Sequence, residues 1–342
     1  MLTELLAWYN GLTDTLLGSL VLFAAGVLLL IKGGDWFVDS AVGVAKRFRV
    51  PEIIIGATVV SIGTTLPEVM VSATAAVNQN GAIAYGNAIG SIICNTALIA
   101  ALTIAIRPAK VERRTLVTPV IFFFVSAAIY IVAAYFFGRF DRWLGIVMLL
   151  VFAVYMTMTI RKGFRNPESV EAGEDAEELE GSLLKDLAVL IVSAGLIAVG
   201  ADMLEGSSVS LATMAGIPTE VVGVTIVALC TSLPELVTAV TALLKGHGAL
   251  SLGNIIGANI FNLVLVSGVA VSISPFAVPE GSKLMGFNTS QLVEIPLMVG
   301  VMALMTLPPL AKGKLHRWQG VSLLCIYALF VLLQVLIALK VI

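Results

Sequence analysis

The apolar runs constrain this chain most. Stretches of about 20 residues with few charges lie near 15–38, 52–77, 82–106, 115–137 and 142–161, then near 184–206, 219–244, 249–274, 291–308 and 318–340. A run of that length crosses the hydrocarbon core of a bilayer as an α-helix. In that core each backbone N–H and C=O has to be satisfied within the protein, and a continuous apolar run does so as a helix. The composition agrees, with 58% hydrophobic and 12% charged residues and a mean hydropathy of +1.02. The sequence therefore predicts an all-α polytopic membrane protein with ten transmembrane helices.

The few charges are placed unevenly. Connections after the odd-numbered spans carry fifteen Lys and Arg, those on the other side carry four, and Lys32 lies inside the first span. The positive-inside rule then puts both termini outside and residues 162–183 in the cytoplasm, with the protein in the cell (inner) membrane. That segment is rich in acid, including Glu168, Glu171, Glu174, Asp175, Glu177, Glu178 and Glu180, and reads as a solvated linker. Residues 1–13 are mildly amphipathic and suit an interface. They lack the basic region and cleavage site of a signal peptide, so no processing is expected. No basic cluster interleaved with aromatics is present, which argues against nucleic-acid binding. Cys94, Cys230 and Cys325 fall in apolar runs without metal-ligand spacing and read as buried thiols.

The chain repeats itself. Pro51, Glu68, Asn87, Asn95 and Pro108 recur as Pro218, Glu235, Asn254, Asn262 and Pro275, all at an offset of 167 residues. Across the 58 aligned positions 21 are identical, and Asp35 and Asp202 share the offset. Each repeat holds five spans, an odd number, so the second must enter the membrane from the opposite face. The prediction is two inverted five-helix repeats, residues 1–161 and 184–342, joined by the acidic linker 162–183. Inverted repeats in transporters place the binding site at the midplane between the halves, on discontinuous helices.

The repeated stretch with the most chemistry is Thr64-Thr65-Leu66-Pro67-Glu68, returning as Thr231-Ser232-Leu233-Pro234-Glu235. A proline inside a helix frees the carbonyl four residues back, here that of Gly63 or Cys230. Freed carbonyls, hydroxyls and a carboxylate are oxygen donors suited to a hard cation such as Ca²⁺ or Na⁺. An ionisable residue at membrane depth is costly and points to function. A second pair of stretches reads Gly86-Asn87-Ala88-Ile89-Gly90-Ser91 up to Asn95, and Gly253-Asn254-Ile255-Ile256-Gly257-Ala258 up to Asn262. The glycines form small-xxx-small patterns that let helices approach closely. Ser91 and Asn95 share one helix face, as do Ala258 and Asn262.

These two linked motifs, each occurring twice, resemble the cation/Ca²⁺ antiporter superfamily, the sodium/calcium exchangers and their relatives. The resemblance implies an alternating-access antiporter with its pocket on the second, third, seventh and eighth helices. It implies that Glu68 and Glu235 bind Ca²⁺ directly, with the backbone carbonyls of Thr64 and Thr231. It further implies flanking Na⁺ sites from Thr65, Ser232 and Ser91 with backbone oxygens of Ser61 and Ala228, and Asn95 and Asn262 lining the centre. The chain departs from the family pattern at Ala258, which lacks a hydroxyl, at Cys230, where Gly usually stands, and at Asn262, where the K⁺-dependent relatives carry Asp.

Two ionised Glu give the pocket a charge of −2, costly to keep bare in a low dielectric. One Ca²⁺ neutralises it, as do two or more Na⁺ or two protons, so exchange of Ca²⁺ for Na⁺ is the leading expectation and H⁺/Ca²⁺ antiport the alternative. No catalytic residue or cofactor is expected; the transported ions and membrane lipid are the partners. A membrane enzyme acting on a lipid pyrophosphate would need Arg or Lys in the core, and residues 51–106 and 218–244 contain neither. A passive channel fits paired broken helices less well than alternating access. Asp35 lies three residues from Lys32 and is expected to pair with it or with solvent. His247 and His316 read as solvated loop residues. Asn288-Thr289-Ser290 matches a glycosylation acceptor, a pattern short enough to recur by chance.

Overall fold

The structure is a computed structural model that describes residues 15–108, 111–165, 183–216, 232–279, 283–284 and 287–339, with Gly11 and Thr13. Ten helices account for nearly all of them. They are α1 (Leu16–Phe48), α2 (Glu52–Val77), α3 (Gly81–Ile106), α4 (Arg113–Phe137), α5 (Arg142–Arg165), α6 (Leu183–Met214), α7 (Leu233–Leu244), α8 (Gly248–Ile273), α9 (Ser290–Lys312) and α10 (Arg317–Ala338). All but α7 are long and apolar enough to cross a membrane. The protein is a multi-pass, all-α membrane protein.

α1 and α6 form an antiparallel pair along their length. The Arg47–Asp186 ion pair (2.6 Å) ties one end and the Ser19–Ser210 hydroxyl bond (3.2 Å) the other. Between them Gly26 and Gly200 face each other so closely that a Cβ on either would sit 2.9 Å from the other's carbonyl oxygen. Within the other eight helices, α8, α3 and α2 are the most buried and α10 the least.

Cross-contacts between connections fix the sidedness. The end of α1 meets the start of α6 through Arg47 and Asp186, and the start of α2 meets the α7–α8 connection through Glu52 and His247 (2.8 Å). The α3–α4 connection meets α9–α10 through the Val111 N–H and the Gly313 carbonyl (3.0 Å). On the opposite side β1 (Arg139–Phe140), between α4 and α5, pairs antiparallel with β2 (Phe276–Ala277), between α8 and α9. Among the described connections, odd and even ones are thus segregated, as an inverted ten-span plan requires. A second short ribbon, β3 (Lys283–Leu284) with β4 (Phe287–Asn288), follows β2.

Several expectations need correction. α1 and α6 run well past the predicted 15–38 and 184–206, because each continues as a helix beyond its apolar stretch and packs on its partner. The predicted linker 162–183 is shortened at both edges. α5 extends to Arg165, with Gly163 against Val50 and Ile54 and the Phe164 ring edge-on to Phe48, and α6 begins at Leu183. The rest of the linker, residues 1–10 and residues 217–231 lie outside the described residues. Asp35 faces Lys245 (3.5 Å) rather than Lys32, and His247 pairs with Glu52. His316 is the N-cap of α10, whose capping box it closes with Gln319. Cys325 is exposed, since α10 is peripheral, whereas Cys94 is buried. Asn288 accepts from the Ser290 N–H (2.9 Å) and donates to the Pro279 carbonyl (2.8 Å), a local turn at the start of α9.

Candidate cation site

α2 continues as a helix through Pro67, which removes one backbone hydrogen bond without ending the helix, so the expected discontinuity at that proline does not occur. The irregularity is a π-helical segment at least two turns earlier, Gly56–Val60, where the Ser61 hydroxyl donates to the Gly56 carbonyl (2.7 Å). Beyond it, Ser61, Thr64, Thr65 and Glu68 follow at i, i+3, i+4 and i+7, so they share one face, and all four are buried.

The second copy begins differently. Ser232 is the N-cap of α7, and Pro234 falls in the first turn, where its missing N–H removes no intrahelical bond. Glu235 follows within that turn. Ala228, Cys230 and Thr231 lie outside the described residues.

These elements bring the two carboxyls together. Glu68 and Glu235, 1% and 0% exposed, face each other within Coulombic reach. The Thr65 hydroxyl donates to Glu235 Oε1 (3.4 Å). Both oxygens of Glu68 and Oε2 of Glu235 have no hydrogen-bond partner among the described residues.

α3 and α8 supply the remaining wall. Each carries a π-helical segment that begins at a repeat-equivalent asparagine, Asn95 in Asn95–Ala100 and Asn262 in Asn262–Val266. Such segments recur at functional sites. Asn95 and Asn262 are fully buried. Both amide atoms of Asn95, the Asn262 amide oxygen, and the hydroxyls of Ser91 and Ser232 make no hydrogen bond among the described residues. Asn262 uses its NH₂ on the Ala258 carbonyl (3.1 Å). Buried polar groups are nearly always paired, so this many unpaired oxygens around two carboxyls form a donor set fitted to a hard cation.

Two polar groups at the site were given no ligand role in the sequence reading, where Asn254 served only to mark the repeat. Asn254 on α8 accepts from Ser61 (3.3 Å) and Thr64 (3.3 Å) of α2, joining the two repeats. Its repeat mate Asn87 instead holds α3 to α2 through the Glu68 carbonyl (3.1 Å) and the Ser72 hydroxyl (2.8 Å). Asn259 donates to the Thr96 hydroxyl of α3 (2.7 Å). Its repeat mate is Ile92, so a search for matched pairs passes over it. An Asn in an apolar run was the available signal.

A family model described as "Sodium/calcium exchanger protein" matches residues 18–161 and 185–336. The chain belongs to the sodium/calcium exchanger family. Among proteins similar to it, the sodium/calcium exchanger MaX1 of Methanosarcina acetivorans is 32% identical over 91% of this chain and 97% of its own length. Inner membrane protein YrbG of Escherichia coli is 32% identical over 80% of this chain and 86% of its own. A solved structure of the sodium-calcium exchanger NCX_Mj, soaked with Na⁺ and Sr²⁺, superposes with a TM-score of 0.76 at 31% identity, covering 91% of this chain and 97% of that one. The family resemblance carried by the repeated motifs is thereby borne out, and with it the fold of two inverted five-helix repeats.

Proposed function

We propose that this exchanger moves Ca²⁺ against Na⁺ by alternating access, with the ions held between Glu68 and Glu235. The observation that supports this most is the meeting of two buried carboxyls, one from each inverted repeat, within a shell of unpaired neutral oxygens. Ca²⁺ sits between the two carboxylates, with the backbone carbonyls of Thr64 and Thr231. Na⁺ ions sit to either side, on Thr65, Ser232 and Ser91 with the carbonyls of Ser61 and Ala228, while Asn95 and Asn262 line the centre. Only a site neutralised by its ions lets the halves 1–161 and 184–342 rock past each other, because a bare −2 charge is costly away from water. Protons would neutralise the carboxylates equally well, but they have no use for hydroxyls and amides set around them. That shell favours Na⁺ over H⁺ as counter-ion. The arginine- and lysine-rich connections face the cytoplasm and both termini face outward, across the cell (inner) membrane.

Flux into proteoliposomes tests this. An outward Na⁺ gradient at clamped pH drives ⁴⁵Ca²⁺ uptake, and a pH gradient alone does not. Uptake driven only by the pH gradient would establish the proton reading instead.

A further inference from the structure

The two repeats differ where their hydroxyls line the site. Ser61 and Ser91 in the first repeat correspond, at the offset of 167, to Ala228 and Ala258 in the second. The hydroxyl that Ser91 brings on α3 therefore has no counterpart on α8. We propose that the Ser61 hydroxyl fills that place and is a side-chain ligand of Na⁺ on the α8 side of the carboxyl pair. The proposal rests on the reading of Glu68 and Glu235 as the cation pair.

The geometry that carries it lies at the crossing of α2 and α8. Ser61 is fully buried, and its Oγ is 2.9 Å from the Asn254 carbonyl oxygen and 3.3 Å from Asn254 Oδ1. The Asn254 carbonyl is one turn before Ala258, the acceptor to which a serine at 258 would bond back along its own helix. Ser61 thus delivers an oxygen from α2 to the same turn of α8. Gly257 makes room for it, since a Cβ there would sit 2.3 Å from Ser61 Oγ.

The surroundings are rich in oxygen. Ser61 Oγ also lies 2.7 Å from the Gly56 carbonyl oxygen, and Thr64 Oγ1 lies 3.3 Å from Asn254 Oδ1. One hydroxyl proton on Ser61 cannot serve three acceptors at once. Neutral oxygens gathered in this way replace the hydration shell of a monovalent cation, as filter carbonyls do. The cluster is continuous with the carboxyls, because Ser61 shares its helix face with Thr65, which bonds Glu235, and with Glu68. Asn254 acts as a positioning residue, holding Ser61 and Thr64 in register from the opposite repeat.

The competing role is purely structural: the hydroxyl would only satisfy the Gly56 carbonyl within the π-helical segment. The test compares two activities of the full-length chain in proteoliposomes, Na⁺-driven ⁴⁵Ca²⁺ uptake and ⁴⁵Ca²⁺–⁴⁰Ca²⁺ self-exchange. Ser61→Ala should lower the ratio of the first to the second about tenfold, the effect of deleting one polar ligand of a charged group. Adding Ala258→Ser should restore most of it, because the hydroxyl returns to the same turn from the other helix. Ser61→Cys keeps the volume and a weak donor for Gly56 but removes the hard oxygen, and should lower the ratio as Ser61→Ala does. A ratio within about twofold of the parent in either single variant, or a double variant no better than Ser61→Ala, overturns the proposal. A parent chain lacking both activities would overturn the carboxyl-pair reading, and this proposal with it.

Discussion

Pro67 and Pro234 are equivalent in the repeat but not in their helices. Pro67 interrupts one bond inside an intact α2, whereas Pro234 sits in the first turn of α7. The glutamate that follows reaches the same place in both cases, and charge explains why the proposed site calls for a carboxylate from each repeat. At about 4 Å and an effective dielectric of about 20, one unit-charge pair is worth about 4 kcal/mol, and a divalent ion doubles it. Losing a fraction of that exceeds the 1.4 kcal/mol or so that makes a factor of ten in binding. Glu68→Gln and Glu235→Gln should therefore each reduce Na⁺-driven ⁴⁵Ca²⁺ uptake to the level of empty liposomes; uptake within a few-fold of the parent in both would contradict the assignment. The glutamates were legible in the sequence because nothing else accounts for a carboxylate in an apolar run. Asn254 was not, because its partners Ser61 and Thr64 come from the other repeat, and no local pattern announces a contact 190 or more residues away.

In the helices themselves, the crossing of α2 and α8 depends on missing side chains. A Cβ on Gly253 would stand 2.2 Å from the Ile53 carbonyl oxygen, and one on Gly56 would stand 2.4 Å from that of Leu250. The obstacles are backbone atoms, so the helices would have to separate. Gly253→Ala should cost about 1–3 kcal/mol by overpacking, seen as a fall of several degrees in the thermal unfolding midpoint in detergent. Gly195→Ala on α6, where a Cβ meets nothing within 4 Å, should be neutral or stabilising by up to about 1 kcal/mol. Equal destabilisation in the two variants would show that the crossing is not tight. The small-xxx-small spacing announced a close approach on α8 but not its partner. The π-helical segments at Asn95 and Asn262 had no local signature in the sequence. Helix ends were also misjudged, because hydropathy marks where the apolar stretch stops, and α1 continues to Phe48 on contacts with α6.

For the molecule as a unit, the odd number of spans per repeat and the one-sided Lys and Arg determine the architecture together, and both are visible in the sequence. The cross-contacts between alternate connections agree with them. Sidedness in the cell can be read with a membrane-impermeant thiol reagent in a Cys325→Ser background. Arg139→Cys, in the α4–α5 connection, should label in intact cells, and Lys314→Cys, in the α9–α10 connection, only after lysis; the reverse pattern would invert the proposed orientation. The proposed exchange depends above all on the two repeats meeting at one ion, which anomalous scattering from Sr²⁺-soaked crystals would locate. A peak is expected between Glu68 and Glu235, within about 2.3–2.6 Å of an oxygen from each. A peak bound to one carboxylate alone, or none at the pair while flux persists, would contradict a shared site.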